Sequence, residues 1–383
     1  MGRLSLFNSP KLDTMRHWVF TIVFTLIFTS ILTAQERPDT AATEAVDTLR
    51  ASVLTDTLLI PIEAQQFYNN GVTAFRSGKL ETAVAQFDSA LAIEPRFLSP
   101  LYNRASVHFE MRHFSQCIQD FTLYLQQDTT GNNHANAYYL RGRSHFFLKQ
   151  REEAMKNYSL AIENDPQIAV YFYQRGVLIF EDGDFERAIV DFDAALRLDP
   201  HYSYAYNDRG SAKKMTGDLN GALNDYLKAV QANPNLAIAF NNLGSIRKKK
   251  GDLKGAVKAY SRALELNPEY FLAFNNRGST YFELEEYALA VKDFDAALQL
   301  NPDYAFAYNN RSAARYKLRD YQGAIDDAEQ AIAIDPSYGF AYLNRGISRE
   351  MIRDAEGACS DWKKAAELGV KNAQTYVQSS CDP

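Results

Sequence analysis

Six prolines, Pro166, Pro200, Pro234, Pro268, Pro302 and Pro336, follow one another at intervals of 34 residues. A seventh, Pro95, precedes Pro166 by two such intervals plus three residues. A period held this strictly is the mark of a stack of near-identical units rather than of a single globular core. Each unit in such a stack buries its apolar face on its neighbours, so stability approximates a nearest-neighbour sum.

With each proline placed at position 32, the first unit starts at Ala64 and the ninth at Gly339. Position 4 is large and mostly aromatic, from Phe67 to Tyr342. Position 8 is glycine in seven units (Gly71, Gly142, Gly176, Gly210, Gly244, Gly278, Gly346). Position 20 is small, Ala83 through Ala358, with Cys117 in the second unit. Position 24 is aromatic except at Ala328, and position 27 is mostly alanine. Apolar residues three and four apart give one face of a helix, and two such faces occur per unit. Small residues at 8, 20 and 27 let the two helices approach, and the aromatics fill the remaining space. Turns such as Gly183-Asp184, Gly217-Asp218 and Gly251-Asp252 separate them. There glycine takes a positive φ at a helix end and aspartate caps the next helix. The proline stops the second helix.

This combination of large residue, glycine, alanine, aromatic, alanine and proline resembles the tetratricopeptide repeat (TPR). The resemblance implies an all-α, right-handed TPR superhelix (α-solenoid) of nine helix-turn-helix repeats with a C-terminal capping helix. The expected repeats are 64–97, 98–134, 135–168, 169–202, 203–236, 237–270, 271–304, 305–338 and 339–372, and the cap is 373–383. The second repeat departs most: Ala105 replaces glycine, Tyr124 stands at position 27, and an insertion near Thr130-Gly131-Asn132-Asn133 replaces the proline.

The N-terminus differs in kind. Lys11, Arg16 and His17 precede the apolar run Trp18–Leu32, which ends Leu32-Thr33-Ala34-Gln35. That layout predicts a signal peptide over 1–34, with Met15 as an alternative start. The other reading of the run is an uncleaved membrane anchor, although it falls short of the ~20 residues a spanning helix needs. Residues 35–63 read as a linker, with Leu58-Leu59-Ile60-Pro61-Ile62 strapping onto the first repeat. The expected location is therefore exported: periplasmic, envelope-associated or secreted. In an exported chain, Cys359 on the last repeat and Cys381 at the end of the capping segment are expected to form a disulfide. Cys117 reads as a buried thiol.

Two positions vary together. Position 7 carries Arg104, Arg141, Arg175, Arg209, Arg277, Arg311 and Arg345. Position 23 carries Asp120, Asn157, Asp191, Asp225, Asp293, Asp327 and Asp361 in the same repeats. The sixth repeat has Leu243 and Ala259 instead, and the first has Asn70 and Gln86. Positions that change together predict contact, here an Arg–carboxylate bridge between the two helices of a repeat. The competing reading places these arginines on a binding surface.

Catalytic signals are thin. There is no His-Glu-x-x-His and no Gly-x-Ser-x-Gly, and Gly71 with Gly78-Lys79 has the wrong spacing for a phosphate loop. The six histidines are scattered. No enzyme activity, cofactor or metal is expected, and the net charge of −6 carries no nucleic-acid signal. The resemblance directs attention to the groove that the first helices of TPR repeats line. Position 6 offers Asn69, Asn103, Asn242, Asn276, Asn310 and Asn344, interrupted by Leu140, Gln174 and Asp208. Amides can hydrogen-bond the backbone of an extended peptide without reading its sequence. Position 5 changes from Tyr68, Tyr102, Tyr139 and Tyr173 to Asn207, Asn241, Asn275 and Asn309, which predicts an aromatic half and an amide half of the groove. A basic cluster, Lys213, Lys214, Arg247 and Lys248–Lys250 with Lys254 and Lys258 on the next helix, suits an acidic partner segment or a C-terminal carboxylate, or is a solvated helix end. The expected function is a non-catalytic module binding an extended peptide or protein segment. The alternative is a scaffold of an envelope complex docking through its convex face or edges.

Overall fold

Thirteen- to fifteen-residue helices account for every repeat, and the computed structural model describes residues 60–131 and 133–381. The first two repeats comprise α1 (Ile62–Arg76), α2 (Leu80–Ile93), α3 (Leu98–Glu110) and α4 (Phe114–Gln127). The third and fourth comprise α5 (His134–Phe147), α6 (Arg151–Asn164), α7 (Ala169–Glu181) and α8 (Phe185–Leu198). The fifth and sixth comprise α9 (Ser203–Met215), α10 (Leu219–Ala232), α11 (Ala237–Lys249) and α12 (Leu253–Leu266). The seventh to ninth comprise α13 (Phe271–Glu283), α14 (Tyr287–Leu300), α15 (Ala305–Lys317), α16 (Tyr321–Ile334), α17 (Gly339–Met351) and α18 (Ala355–Glu367), and α19 (Ala373–Ser380) follows. The described residues contain no strand, and consecutive helices pack as antiparallel hairpins in the manner of an α-solenoid. The odd-numbered member of each hairpin is its A helix and the even-numbered member its B helix.

The described residues divide into two units, one ending at Asp225 and one beginning at Tyr226. In the N-terminal unit, Phe87, Phe121, Tyr158 and Phe192 are fully enclosed at position 24. In the C-terminal unit Tyr260, Phe294 and Trp362 play the same part. The position-8 glycines exist for these rings: a Cβ on Gly244 would lie 2.6 Å from Tyr260 Cε1. Alanine at position 20 is at most 1 % exposed throughout, so helix backbones meet closely there.

The A–B turn explains the Gly-Asp signature and extends it. Position 15 has a positive φ in all nine repeats. Four use glycine (Gly78, Gly183, Gly217, Gly251), and five force Arg112, Lys149, Glu285, Arg319 or Arg353 into that region. The following Asp accepts a hydrogen bond from the third residue of the B helix, as in Asp252 Oδ1 from Gly255 N (2.9 Å). Before the proline, Asp or Asn accepts from the backbone two residues on: Asp199 from His201 N (2.8 Å), Asn267 from Glu269 N (3.0 Å). In the second repeat Asp128 closes the inserted loop without a proline. It accepts from Thr130 N and Oγ1 and from Tyr124 Oη, and one of its oxygens lies 3.1 Å from His134 Nε2.

Two boundary readings need adjustment. α1 begins at Ile62, inside the expected linker, because Pro61 at its N-cap has a φ of −54° that suits entry into a helix. Ile62 is 79 % exposed, so it does not strap onto the first repeat. The expected signal peptide, and the linker up to residue 59, lie outside the described residues. At the other end α19 covers the last repeat with Ala373 and Val377, and its Tyr376 lies 5.0 Å from Trp362. Cys359 and Cys381 are joined by a disulfide.

Candidate functional site

Each position-7 arginine lies between the helices of its repeat. Arg175 donates from Nε and Nη2 to the two oxygens of Asp191, both at 2.8 Å. Arg104–Asp120, Arg209–Asp225, Arg277–Asp293, Arg311–Asp327 and Arg345–Asp361 repeat this fork at 2.6–2.9 Å. Arg141 makes the one bond that Asn157 allows on that side, at 2.8 Å. The carboxylates are buried, Asp225 completely. Hydrogen bonding to Asp191 and to Asp293 holds the guanidinium pKa of Arg175 and Arg277 above its ordinary value, against desolvation. Six of these guanidinium groups also lie 5.3–5.9 Å from the ring at position 4 of their own repeat.

A third member of this arrangement has no counterpart in the sequence reading. The remaining nitrogen reaches position 25 of the preceding repeat: Arg104 to Asp88, Arg209 to Asp193 and Arg311 to Asp295 at 2.5–2.6 Å. Arg141, Arg175 and Arg277 reach Thr122, Ser159 and Ser261 at 3.0–3.3 Å. The signal was present. Where the arginine is lost, position 25 of the repeat before becomes Leu227, so Leu227, Leu243 and Ala259 replace the whole polar triad. The arginines are thus framework residues that tie three helices together.

The asparagines of positions 5 and 6 pair across neighbouring A helices. In the C-terminal unit Asn276 Nδ2 donates to Asn241 Oδ1 (3.1 Å), Asn310 to Asn275 (3.0 Å) and Asn344 to Asn309 (2.8 Å). The position-5 partners are buried, whereas Asn276 and Asn310 are half-buried. Among the described residues, the Asn276 and Asn310 side chains make only these bonds, which leaves a carbonyl oxygen and one N–H on each. Asn242 and Asn344 are buried at 3 % and 8 %. In the N-terminal unit a tyrosine takes the accepting part, Asn103 Nδ2 donating to Tyr68 Oη (3.3 Å). Tyr102 Oη accepts instead from Asn136 Nδ2, at position 2 of the third repeat (2.5 Å). Asn69 is exposed and receives a hydrogen bond from Gln65.

The aromatic half of the groove needs correction. Tyr102, Tyr139 and Tyr173 are 8 %, 1 % and 2 % exposed. Their rings pack on the position-24 ring of the same repeat (Tyr102–Phe121 5.4 Å, Tyr139–Tyr158 6.1 Å, Tyr173–Phe192 6.0 Å). They also pack on a second ring, Tyr124, Tyr171 or Tyr202, at 4.7–5.2 Å. Position 5 points into the seam between repeats, where a large ring gains burial, so these tyrosines are core. The Tyr173 hydroxyl donates to Asp208 at 2.9 Å.

Lys248 also differs from its expected part. Its ammonium is held by Ser279 Oγ (2.7 Å) and Glu283 Oε1 (3.1 Å) of the next repeat. Burial lowers its pKa, with the Glu283 carboxylate opposing that shift. Its charge is used inside the array. Lys214 is half-buried at the same position of the repeat before.

Family models described as TPR repeat match residues 214–251 and 244–285, and models described as tetratricopeptide repeat match 135–168, 271–304 and 305–338. Among solved structures, a tetratricopeptide repeat protein from Parabacteroides merdae is 17 % identical, over 66 % of this chain and 100 % of that one, with a TM-score of 0.52. PilF from Pseudomonas aeruginosa is 19 % identical, over 55 % of this chain and 96 % of that one, with a TM-score of 0.50. YrrB, described as a TPR protein with an unusual peptide-binding site, is 25 % identical over 48 % of this chain and 95 % of its own, with a TM-score of 0.42. The first two likenesses are of fold. No curated protein matches the chain.

Proposed function

The chain is a tetratricopeptide-repeat protein, and from that premise we propose that it is a non-catalytic interaction module holding an extended polypeptide segment against its A helices. Repeats of this family serve protein–protein interaction, and an array of short hairpins suits that role because it presents a long surface from a repeated part. One observation carries the finer reading. Asn276 and Asn310 are fixed by the buried amides behind them, yet each keeps a donor and an acceptor. Two preset amides one repeat apart match the alternating N–H and C=O groups of an extended chain, at little ordering cost to the protein.

The test is affinity capture from the source cells with wild type and with Asn276→Ala/Asn310→Ala, after both are shown to melt cooperatively. A partner held by wild type and lost by the variant supports the reading. Equal capture by both sends the partner to another face. That second reading, a scaffold docking through B helices, is favoured by Val190 and Leu289, which are 62 % and 44 % exposed there.

We further propose that the protein works outside the cytoplasm. The basic segment and apolar run before Gln35 support this. So does the Cys359–Cys381 disulfide, since such bonds persist in oxidising compartments. N-terminal sequencing of the protein from fractionated cells tests it: a chain beginning after Ala34 in an envelope or secreted fraction is expected, and an intact N-terminus in the cytosol contradicts it.

A further inference from the structure

The sixth repeat breaks the charge pattern of the others. Its framework triad is apolar, which removes an arginine and also the acids that elsewhere sit at positions 23 and 25. The cations nearby remain. Residues 226–262 hold eight Lys or Arg against one Asp, in a chain whose net charge is −6. The end of α11 and the start of α12 concentrate them: Lys249, Lys250, Lys254 and Lys258 are all exposed. Lys254 and Lys258 are one helical turn apart, and so are neighbours on one face of α12.

Three features set this surface apart from an ordinary solvated helix end. Lys249, Lys254 and Lys258 make no hydrogen bond or ion pair among the described residues. Lys254 occupies the first turn of α12, where the backbone dipole disfavours a cation. The equivalent residue is Glu81 in α2, Glu152 in α6, Glu186 in α8 and Glu356 in α18. Finally, Lys254 and Lys258 repel each other across one turn, so two locally unfavourable choices coincide on one patch.

We propose that the Lys249–Lys250–Lys254–Lys258 surface docks an acidic segment of a protein partner, at a place separate from the A-helix amides. The patch is narrow. The corresponding turn of the next repeat exposes Glu283, Glu285 and Glu286. A flat anionic membrane laid on the lysines would meet these acids as well, whereas a single acidic strand avoids them. Charge complementarity of this kind mainly raises the association rate and falls with salt.

A fluorescent oligoglutamate peptide and phosphatidylserine-containing vesicles are the probes, with the full chain in each assay. Wild type is expected to bind the peptide at low salt, and Lys254→Glu/Lys258→Glu to weaken that binding by about tenfold or more. Lys292→Glu/Lys363→Glu changes two exposed lysines elsewhere and matches the charge change, so it is expected to bind like wild type. Asn276→Ala/Asn310→Ala is also expected to bind like wild type. A loss of peptide binding by Asn276→Ala/Asn310→Ala equal to that of the Lys254/Lys258 variant would place the peptide on the A-helix amides instead and overturn the proposal. No peptide binding by wild type overturns the proposal, as does equal weakening by both lysine pairs. Vesicle binding that depends on Lys254 and Lys258 overturns it too, in favour of a membrane surface.

Discussion

Arg277 and Asp293 face each other across the seventh repeat through two parallel hydrogen bonds of 2.7 and 2.8 Å, and a third guanidinium nitrogen donates to Ser261 of the repeat before at 3.0 Å. One side chain thus fixes both the pairing of two helices and the seating of one repeat on the next. Asp293 is 4 % exposed, so removing either partner leaves the other short of its bonds in a place that water hardly reaches.

Arg277→Ala and Asp293→Ala are each expected to cost about 2–3 kcal/mol, because each strands a charged partner. The double variant should cost clearly less than the sum, since it strands nothing. Denaturant melts of the four proteins supply the cycle. Strict additivity would falsify the bridge as a coupled unit.

The turn makes a second, opposite pair of predictions. Glu285 is held at φ +62°, a region that costs a side chain on the order of 1 kcal/mol. Glu285→Gly is expected to leave stability unchanged or raise it by about 0.5 kcal/mol, the relief of strain offset by a looser unfolded chain. Gly183 sits at φ +83° with no atom within 4 Å of where a Cβ would stand. Gly183→Ala should therefore destabilise by about 1 kcal/mol through backbone conformation alone. Thermal melts that move both variants in the same direction by similar amounts contradict this account of the turn.

Lys248 makes a pH prediction. Burial lowers its folded-state pKa below the ordinary lysine value of 10.5. Between the folded value and 10.5 the unfolded chain binds more protons, so stability rises with pH across that window. Below the window the charged form carries the burial cost in full. Position 12 is aromatic in six other repeats, for example Phe282 and Tyr316. Lys248→Met should remove the alkaline gain and match or exceed wild type near neutral pH. Chemical denaturation at several pH values checks it, and a variant that keeps the alkaline rise assigns that rise to another group.

How legible the chain was depends on what a residue answers to. Helix pairs, the capping Asp of the turn and the close approach at Gly244 are written in spacing and residue size, so one repeat read well gives all nine. The seam between repeats is harder to read. The sequence shows that Asn276 and Tyr173 lie on A helices, yet only packing shows that position 5 turns inward and position 6 partly outward. That is why a row of groove tyrosines became core. The serine, threonine and aspartate at position 25 share no residue type, only the ability to accept a hydrogen bond. The apolar triad of the sixth repeat, which lacks that ability, was the readable signal.

The cap supplies a fourth prediction. The Cys359–Cys381 bond ties α19 to α18 across a sequence separation of 22 residues. Cys381→Ser should lower stability by about 3 kcal/mol on the loop-entropy account. The loss should be local: α19 exchanges its amide protons faster, whereas the first repeats keep their protection. Hydrogen exchange followed by mass spectrometry reads both, and unchanged exchange in α19 contradicts the disulfide as the clasp of the cap.

The central claim is that a partner lies along the A helices of the C-terminal unit. Site-specific photo-crosslinking inside the source cells tests it most directly. A photoreactive residue replaces Ser279, beside Asn276 on α13, or Leu289 on α14, which is 44 % exposed. Crosslinks from position 279 to one polypeptide, absent from position 289 and removed by Asn310→Ala, are the predicted result. Crosslinks from position 289 with none from position 279 would place the partner on the B helices and contradict the account.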